Sequence, residues 1–371
     1  MSQIPSLTSL PRNLVPWMAR LALCIMGLEY VAMTNAESLT LAIATDNSNI
    51  VYAGFVTLRC TPESASGVRP VANTLFGNDT PGAVVRFRMT ATVAEALVEY
   101  APKASLANRV NYQSTGVVLR DGRRIATFDR PSDAGGVVRV RLAAGDGEPH
   151  TWGLVLPYAD PVVFRGLRLA AGGQLLALPP VAERTVYVAY GDSITHGFFA
   201  GDALSGYAWQ LAETMGWQLV NLGFGSRTAV PADAKLVAAM KPDVVTILLG
   251  VNDCLGCVPL DTFARNYGAI LDTLRERRPT ALMVVITPLD VPGKWVGTEK
   301  LEDYREALHK LVAARKNNRL LLVEGPALIP SDLSCFADGL HPNDKGFAIM
   351  ADRLAAEIVK AGVKVEPARQ E

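Results

Sequence analysis

The sequence has no excess of either charge. Lys and Arg together count 36, as do Asp and Glu, so the formal net charge is zero. Without a basic surplus there is no electrostatic footprint for nucleic acid or an anionic membrane surface as a partner. No apolar run reaches the ~20 residues that a membrane-spanning helix requires. Five cysteines in 371 residues are too few for a disulfide scaffold. Cys254 and Cys257 make one Cys-x-x-Cys, with no second pair and no histidines at ligand spacing. That is a poor zinc site. These two and Cys335 read as small buried thiols, or as a local disulfide if the protein is exported. No metal and no organic cofactor is expected. Histidine is scarce too, at four residues, so any histidine in a chemically suggestive setting stands out.

What is present describes a globular protein with a large core: 49% apolar and 19% charged residues, in a length that suits two domains. Arg12 and Arg20 precede a short apolar run, Leu21 to Leu28, and then Thr34-Asn35-Ala36. Residues 1–36 therefore resemble a secretory signal, although Glu29 interrupts the pattern, and both an exported and a cytoplasmic protein stay open. From 37 to 170 the pattern is all-β. Val85, Phe87 and Met89 alternate with Arg86 and Arg88, and Val138, Val140 and Leu142 alternate with Arg139 and Arg141. Asp121-Gly122 between two apolar runs signals a hairpin. The expectation is a β-sandwich over 37–170, an accessory domain for which carbohydrate binding stays open, then a Gly- and Pro-rich linker over 171–183. From 184 to 361 strands and helices alternate, with strands at 185–190, 218–222, 243–249, 281–286 and 319–323. Two amphipathic helices carry Phe263, Tyr267, Ile270, Leu271 and Leu274, and Phe347, Met350, Leu354 and Ile358. Alternation of this kind implies a parallel sheet covered on both faces, followed by a tail over 362–371.

The chemistry gathers at the ends of those strands. Gly191-Asp192-Ser193-Ile194 follows the first, so a serine hydroxyl stands where open α/β sheets place their ligands. Far downstream, Asp338-Gly339-Leu340-His341-Pro342 supplies a carboxylate and an imidazole three residues apart. A serine nucleophile needs a base, and the base needs an orienting carboxylate. Asn221-Leu222-Gly223-Phe224-Gly225-Ser226 follows the second strand and Gly250-Val251-Asn252-Asp253 the third. All four segments can converge on one mouth. Taken alone, Ser193 reads as a helix N-cap and His341 as a loop histidine; their combination decides for chemistry.

These four blocks, in this order, resemble the SGNH/GDSL hydrolase family over residues 184 to 361. The resemblance implies a flavodoxin-like three-layer α/β/α domain, here preceded by a jelly-roll-like sandwich. It implies Ser193 as nucleophile, His341 as base and acid, and Asp338 as the residue that holds the imidazole tautomer. It further implies an oxyanion hole from the Ser193 and Ser226 N–H groups and the Asn252 amide. One block departs from the family pattern: relatives usually have glycine where Ser226 stands. Asp192 is expected to serve its turn, and Asp253 to brace the Asn252 loop. His196, Arg227 and Trp295 are weaker substrate-binding candidates. For each there is a bland alternative: a wall or surface histidine, a solvated arginine, a packing tryptophan.

A sandwich ahead of a GDSI-type domain also resembles family 2 carbohydrate esterases, which remove acetyl groups from polysaccharides, and bacterial acyl-ester hydrolases acting on small glycosylated products. The resulting expectation is a serine esterase that works through an acyl-enzyme. Its substrate would be a small-molecule or glycan ester, most simply an acetylated sugar. Rival readings are a lipid or thioester hydrolase, an acyltransferase using the same serine, and a carbohydrate-binding protein with an inert hydrolase domain.

Overall fold

In a computed structural model the described residues are 39–44, 46–55, 57–60, 68–71, 79, 81–103, 113–143, 146–179 and 184–366. The signal-like segment 1–36 lies outside them. Two antiparallel sheets form the N-terminal half. One contains Thr57–Cys60, Val68–Val71, Val162–Ala170, Val93–Tyr100 and Gly136–Ala143 in that order, with Leu39–Ile43 also paired to Val162–Ala170. The other runs Leu175–Leu176, Val84–Met89, His150–Val155, Gly116–Arg120 and Arg123–Phe128, with Val51–Ala53 added to Val84–Met89. Their alternating apolar faces meet in one core, where Phe87, Trp152 and Leu154 of one sheet oppose Val98, Leu142 and Phe164 of the other. The sandwich is the solution that buries one face of each sheet. Asp121 and Gly122 close their hairpin with φ of 49° and 74°. Two positive φ values define the turn whose twist matches that of the flanking strands. Leu175 and Leu176, within the Gly- and Pro-rich stretch, pair with Met89 and Arg88, so that stretch extends the second sheet.

The C-terminal half is a five-stranded parallel sheet in the order Gln218–Gly223, Val186–Gly191, Val244–Leu248, Leu282–Ile286, Leu320–Val323. Numbered along the chain this is 2-1-3-4-5, the flavodoxin-like order, and its switch point lies between the first and third strands. The central strands are buried on both faces, as continuous apolar runs such as Leu282–Ile286 dictate. Helices cover each face. Leu260–Arg277 places Phe263, Tyr267, Ile270, Leu271 and Leu274 on one core, and ends next to Pro279, which disfavours helical backbone before it. Asp344–Lys360 places Phe347, Met350, Leu354 and Ile358 on the other. Its N-terminus is capped by Asn343, whose side chain accepts the Gly346 N–H at 3.1 Å, a contact of a kind that contributes about 1 kcal/mol.

The described residues from Leu39 to Glu366 form one compact unit. Val84, Val117, Leu119 and Val155 of the sandwich pack against Ala203 of the α/β half, with Leu204 and Trp209 beside them. Polar ties join the halves around residues 196–202. Tyr158 donates its hydroxyl to Ala200 O at 3.0 Å, the Gln113 amide donates to Gly201 O at 3.3 Å, and Arg124 pairs with Asp202 at 2.5 Å. The C-terminal stretch is also docked: Glu366 donates its N–H to Met215 O at 3.0 Å. Among the described residues no helix is long and apolar enough to cross a membrane.

Candidate active site

The first strand ends at Gly191, and Asp192 then caps the short helix Ser193–His196 by accepting the Ile194 N–H at 2.9 Å. Ser193 is thus a first-turn residue, where a backbone N–H has no acceptor within the helix. Asn221 clamps this helix to the second strand. Its amide donates to Thr195 O and its carbonyl accepts the Gly223 N–H, both at 2.8 Å. At Gly223 a β-carbon would collide with the backbone of Thr195 and His196, so glycine is required for the strand end and helix to touch.

The serine, histidine and carboxylate lie in series. Ser193 Oγ is 2.8 Å from His341 Nε2, and His341 Nδ1 is 2.9 Å from Asp338 Oδ2. The other oxygen of Asp338 accepts the N–H groups of Leu340 at 3.0 Å and His341 at 2.8 Å. Partial burial raises the Asp338 pKa, but these donors and the imidazole outweigh it and hold the pKa below the ordinary carboxylate value. The carboxylate therefore stays charged and fixes which ring nitrogen faces the serine. Ser193 and His341 are 6% and 9% exposed. Such a relay can draw the hydroxyl proton onto the imidazole and make the oxygen a nucleophile.

The loops after the first three strands are stitched together beside it. Phe224 donates its N–H to Gly191 O at 3.1 Å, and the Asn252 amide donates to Arg227 O at 3.3 Å. Asp253 accepts the Ala229 N–H at 3.1 Å, which ties the third loop to the second. Ser226 sits between them with φ of 62°. A non-glycine residue costs roughly 1–2 kcal/mol in that left-handed region. The conformation gives the physical reason why glycine is the usual occupant, and the serine keeps its N–H.

Residues 189–349 match the GDSL-like lipase/acylhydrolase family. The α/β half is a GDSL-type ester-hydrolase domain. No curated protein sequence matches the chain. Solved structures share the two-part architecture. The salicylyl-acyltransferase SsfX3 from a tetracycline biosynthetic pathway is 19% identical, with a TM-score of 0.75 over 89% of this chain and 99% of that one. An active-site mutant of a family two carbohydrate esterase from Clostridium thermocellum is 19% identical, with a TM-score of 0.66 over 85% and 99%. A family two carbohydrate esterase from Cellvibrio japonicus is 16% identical, with a TM-score of 0.63 over 86% and 97%. At these identities the likeness is one of fold.

The remaining candidates divide within the hydrolase domain. Trp295 stands at the mouth: 39% exposed, its ring edge-on to His341 at 6.3 Å, its indole N–H donated to Asp338 O at 3.1 Å. Arg227 is turned away from the role of an anion receptor. Its guanidinium grips buried Asp233 through two nitrogens, with Nε at 2.6 Å, and the Tyr190 hydroxyl shares that carboxylate at 2.8 Å. His196 is buried, 3% exposed, against Tyr158 and Phe198, with Nε2 3.4 Å from Asp79 Oδ2. It is a wall residue between the two halves, and the surface alternative is excluded. Cys254 and Cys335 are buried, but Cys257 is exposed, against the expectation of three buried thiols. Asp192 is fully buried, and burial pushes its pKa up to about 7, with Asp253 adding to the rise. Asp253, likewise raised by burial, reaches about 6.

Two residues at the mouth escaped the sequence reading. Phe198 and Phe199 stack at 5.8 and 5.4 Å from the His341 ring, and Phe199 is 41% exposed with φ of 67°. Two adjacent aromatics just beyond Gly197, on the loop leaving the serine helix, were the available signal.

Proposed function

We propose that the chain is a serine esterase that works through an acyl-enzyme. The observation that carries this is the unbroken relay of 2.8 Å from Ser193 Oγ to His341 Nε2 and 2.9 Å from Nδ1 to Asp338. Ser193 attacks the ester carbonyl while His341 takes its proton. The tetrahedral oxyanion is stabilised by the N–H groups of Ser193 and Ser226 and by the Asn252 amide. His341 then protonates the leaving alcohol, and water attacks the acyl-enzyme by the same route. Asp338 holds the imidazole tautomer throughout. The low pKa of Asp338 supports this role, since an uncharged carboxyl would not stabilise the imidazolium.

The substrate we favour is an acetylated carbohydrate or glycosylated small molecule. Ser193 lies nearly buried beside His341, against whose ring Phe198 and Phe199 pack, a setting that favours a small acyl group. Trp295 and Phe199 are exposed aromatics beside His341, which suits the planar, partly apolar face of a sugar or aglycone. The same exposed rings favour one second reading, acyl transfer, in which an amphipathic alcohol held at the rim replaces water as acceptor. Initial rates on 4-nitrophenyl acetate, butyrate and octanoate, wild type beside Ser193→Ala, test the proposal. Serine-dependent rates that fall steeply beyond acetate support it. Rates that rise with chain length would move the enzyme to lipid-like esters. Turnover that survives in Ser193→Ala would remove the mechanism.

A further inference from the structure

The Cys-x-x-Cys pair takes no part in the ester chemistry, yet it is joined to the parts that do. Cys254 and Cys257 are free thiols at the end of helix Val251–Leu255, whose second residue is Asn252. The Cys257 N–H donates to Cys254 O at 3.0 Å. A bond from residue i+3 back to residue i closes a turn whose end Cα atoms are less than about 7 Å apart. Disulfides bridge Cα atoms about 4.4–6.8 Å apart, so the backbone already holds the pair near bonding separation. Cys257 faces solvent, whereas Cys254 is buried.

The reduced Cys254 thiol also has a partner of consequence. It donates to Gly297 O at 3.1 Å. Gly297 lies two residues beyond Trp295 in the same loop, and the Trp295 indole donates to the carbonyl of Asp338. Helix 251–255 is thus linked to the triad on one side through this loop, and carries Asn252 on the other. A disulfide sulfur has no proton to donate, so bridging the pair removes the bond to Gly297.

We propose that Cys254 and Cys257 form a thiol–disulfide modification site, oxidised by a small-molecule disulfide, whose closure releases the Trp295 loop and lowers activity. The exposed Cys257 loses its proton to solvent and attacks one sulfur of the small disulfide. That S–S bond breaks, and one thiolate leaves and takes up a proton. Cys254, deprotonated in turn, attacks the Cys257 sulfur of the mixed disulfide and expels the second thiol. Two protein thiols are oxidised and one small disulfide is reduced to two thiols. Burial pushes the Cys254 thiol pKa up, in keeping with the second, resolving position.

The effect on rate rests on the esterase reading; the formation of the bond does not. The test treats the reduced full-length chain with glutathione disulfide. It follows alkylation of each cysteine by peptide mass spectrometry, deuterium uptake over residues 293–300, and turnover of 4-nitrophenyl acetate. The expected result is joint protection of Cys254 and Cys257, faster uptake in the loop, and a fall in rate of about tenfold, since small displacements of catalytic supports cost rate steeply. Dithiothreitol should reverse all three. Cys257→Ser should keep the activity of the reduced protein and lose the response. A stable glutathione adduct on Cys257 with Cys254 still alkylated would overturn the proposal, as would a bridge that leaves loop uptake unchanged. If the reduced protein has no serine-dependent turnover, the esterase reading fails, while thiol mapping and deuterium uptake still decide the site.

Discussion

The two halves of the molecule bury charge for different ends. In the sandwich, Arg130 holds Asp160 with Nε at 2.9 Å and Nη2 at 2.7 Å, both side chains buried, and donates a further bond to Ala101 O. In the hydrolase half the carboxylates differ in their partners. Asp233 is gripped by Arg227, but Asp192 has no cationic partner and leaves Oδ2 without a hydrogen bond among the described residues. Asp338 faces an imidazole, which can change charge. A fully paired ion is fixed, whereas a carboxylate facing a titratable base can follow a reaction. The sandwich meets the site through Tyr158, Gln113 and Arg124, which hold the loop bearing Phe198 and Phe199. It braces the mouth.

That contrast can be broken most forcefully at the serine. Ser193→Ala or His341→Ala should lower kcat by about 10⁴-fold or more, with an unchanged circular-dichroism spectrum and melting temperature. Arg130→Ala should do the reverse. It removes the guanidinium that faces the buried Asp160 carboxylate, and breaking a buried pair costs roughly 3–5 kcal/mol. Denaturant unfolding should register that loss. kcat on 4-nitrophenyl acetate, measured well below the unfolding midpoint, should change little. A sandwich variant that loses turnover while keeping its stability would show that the sandwich supplies chemistry as well as support.

Asn252→Ala sharpens the comparison within the hydrolase half. Loss of one oxyanion donor should lower kcat by about 10²–10³-fold, with KM nearly constant. A change confined to KM would reassign Asn252 to substrate binding.

The unpaired Asp192 gives a pH signature that the paired Asp160 cannot. Its pKa is pushed from 3.8 up to about 7 by burial. The fold therefore favours its protonated form: the stability this contributes is fully present below pH 3.8 and is lost as pH rises through 7. Asp192→Asn stays neutral and can still accept the Ile194 N–H. Relative to this variant, the wild type should lose stability between about pH 4 and pH 8. Unfolding free energies measured in parallel across that range check it, with Asp253 present in both proteins. A constant difference would mean that Asp192 does not titrate in the fold.

Much of the architecture was legible because it rests on period. The run from 185 to 190 became the strand Val186–Gly191, and the apolar stripe through Phe263 and Leu274 became the buried face of Leu260–Arg277. Asp121-Gly122 was readable as a turn because only a few residues tolerate two positive φ values. What could not be read depends on contacts distant in sequence. Tyr158 reaches Ala200, and Gln113 reaches Gly201, only once the two halves pack, so neither spacing nor composition reveals what holds Phe199 over His341. Arg227 misled for a different reason. Beside an oxyanion block an arginine suggests an anion, and nothing in the pattern shows that Asp233, six residues on, turns back to take it. Cys257 looked buried because cysteine usually is; it lies two residues past the end of its helix, with φ of 52°, and faces solvent.

The smallest expected effect tests the block that departs from the family pattern. Ser226 holds φ of 62° beside the oxyanion loop. Ser226→Gly relieves the left-handed strain and keeps the N–H, but it also loosens the unfolded chain, and the two effects oppose each other. The net change in stability should lie within about 1 kcal/mol. Because the proposed donor is the backbone N–H, kcat should stay within about twofold, where loss of a true oxyanion donor costs a hundredfold or more. A large fall in kcat would assign the work to the Ser226 hydroxyl, and would make the departure from glycine a functional feature of this chain instead of a tolerated strain.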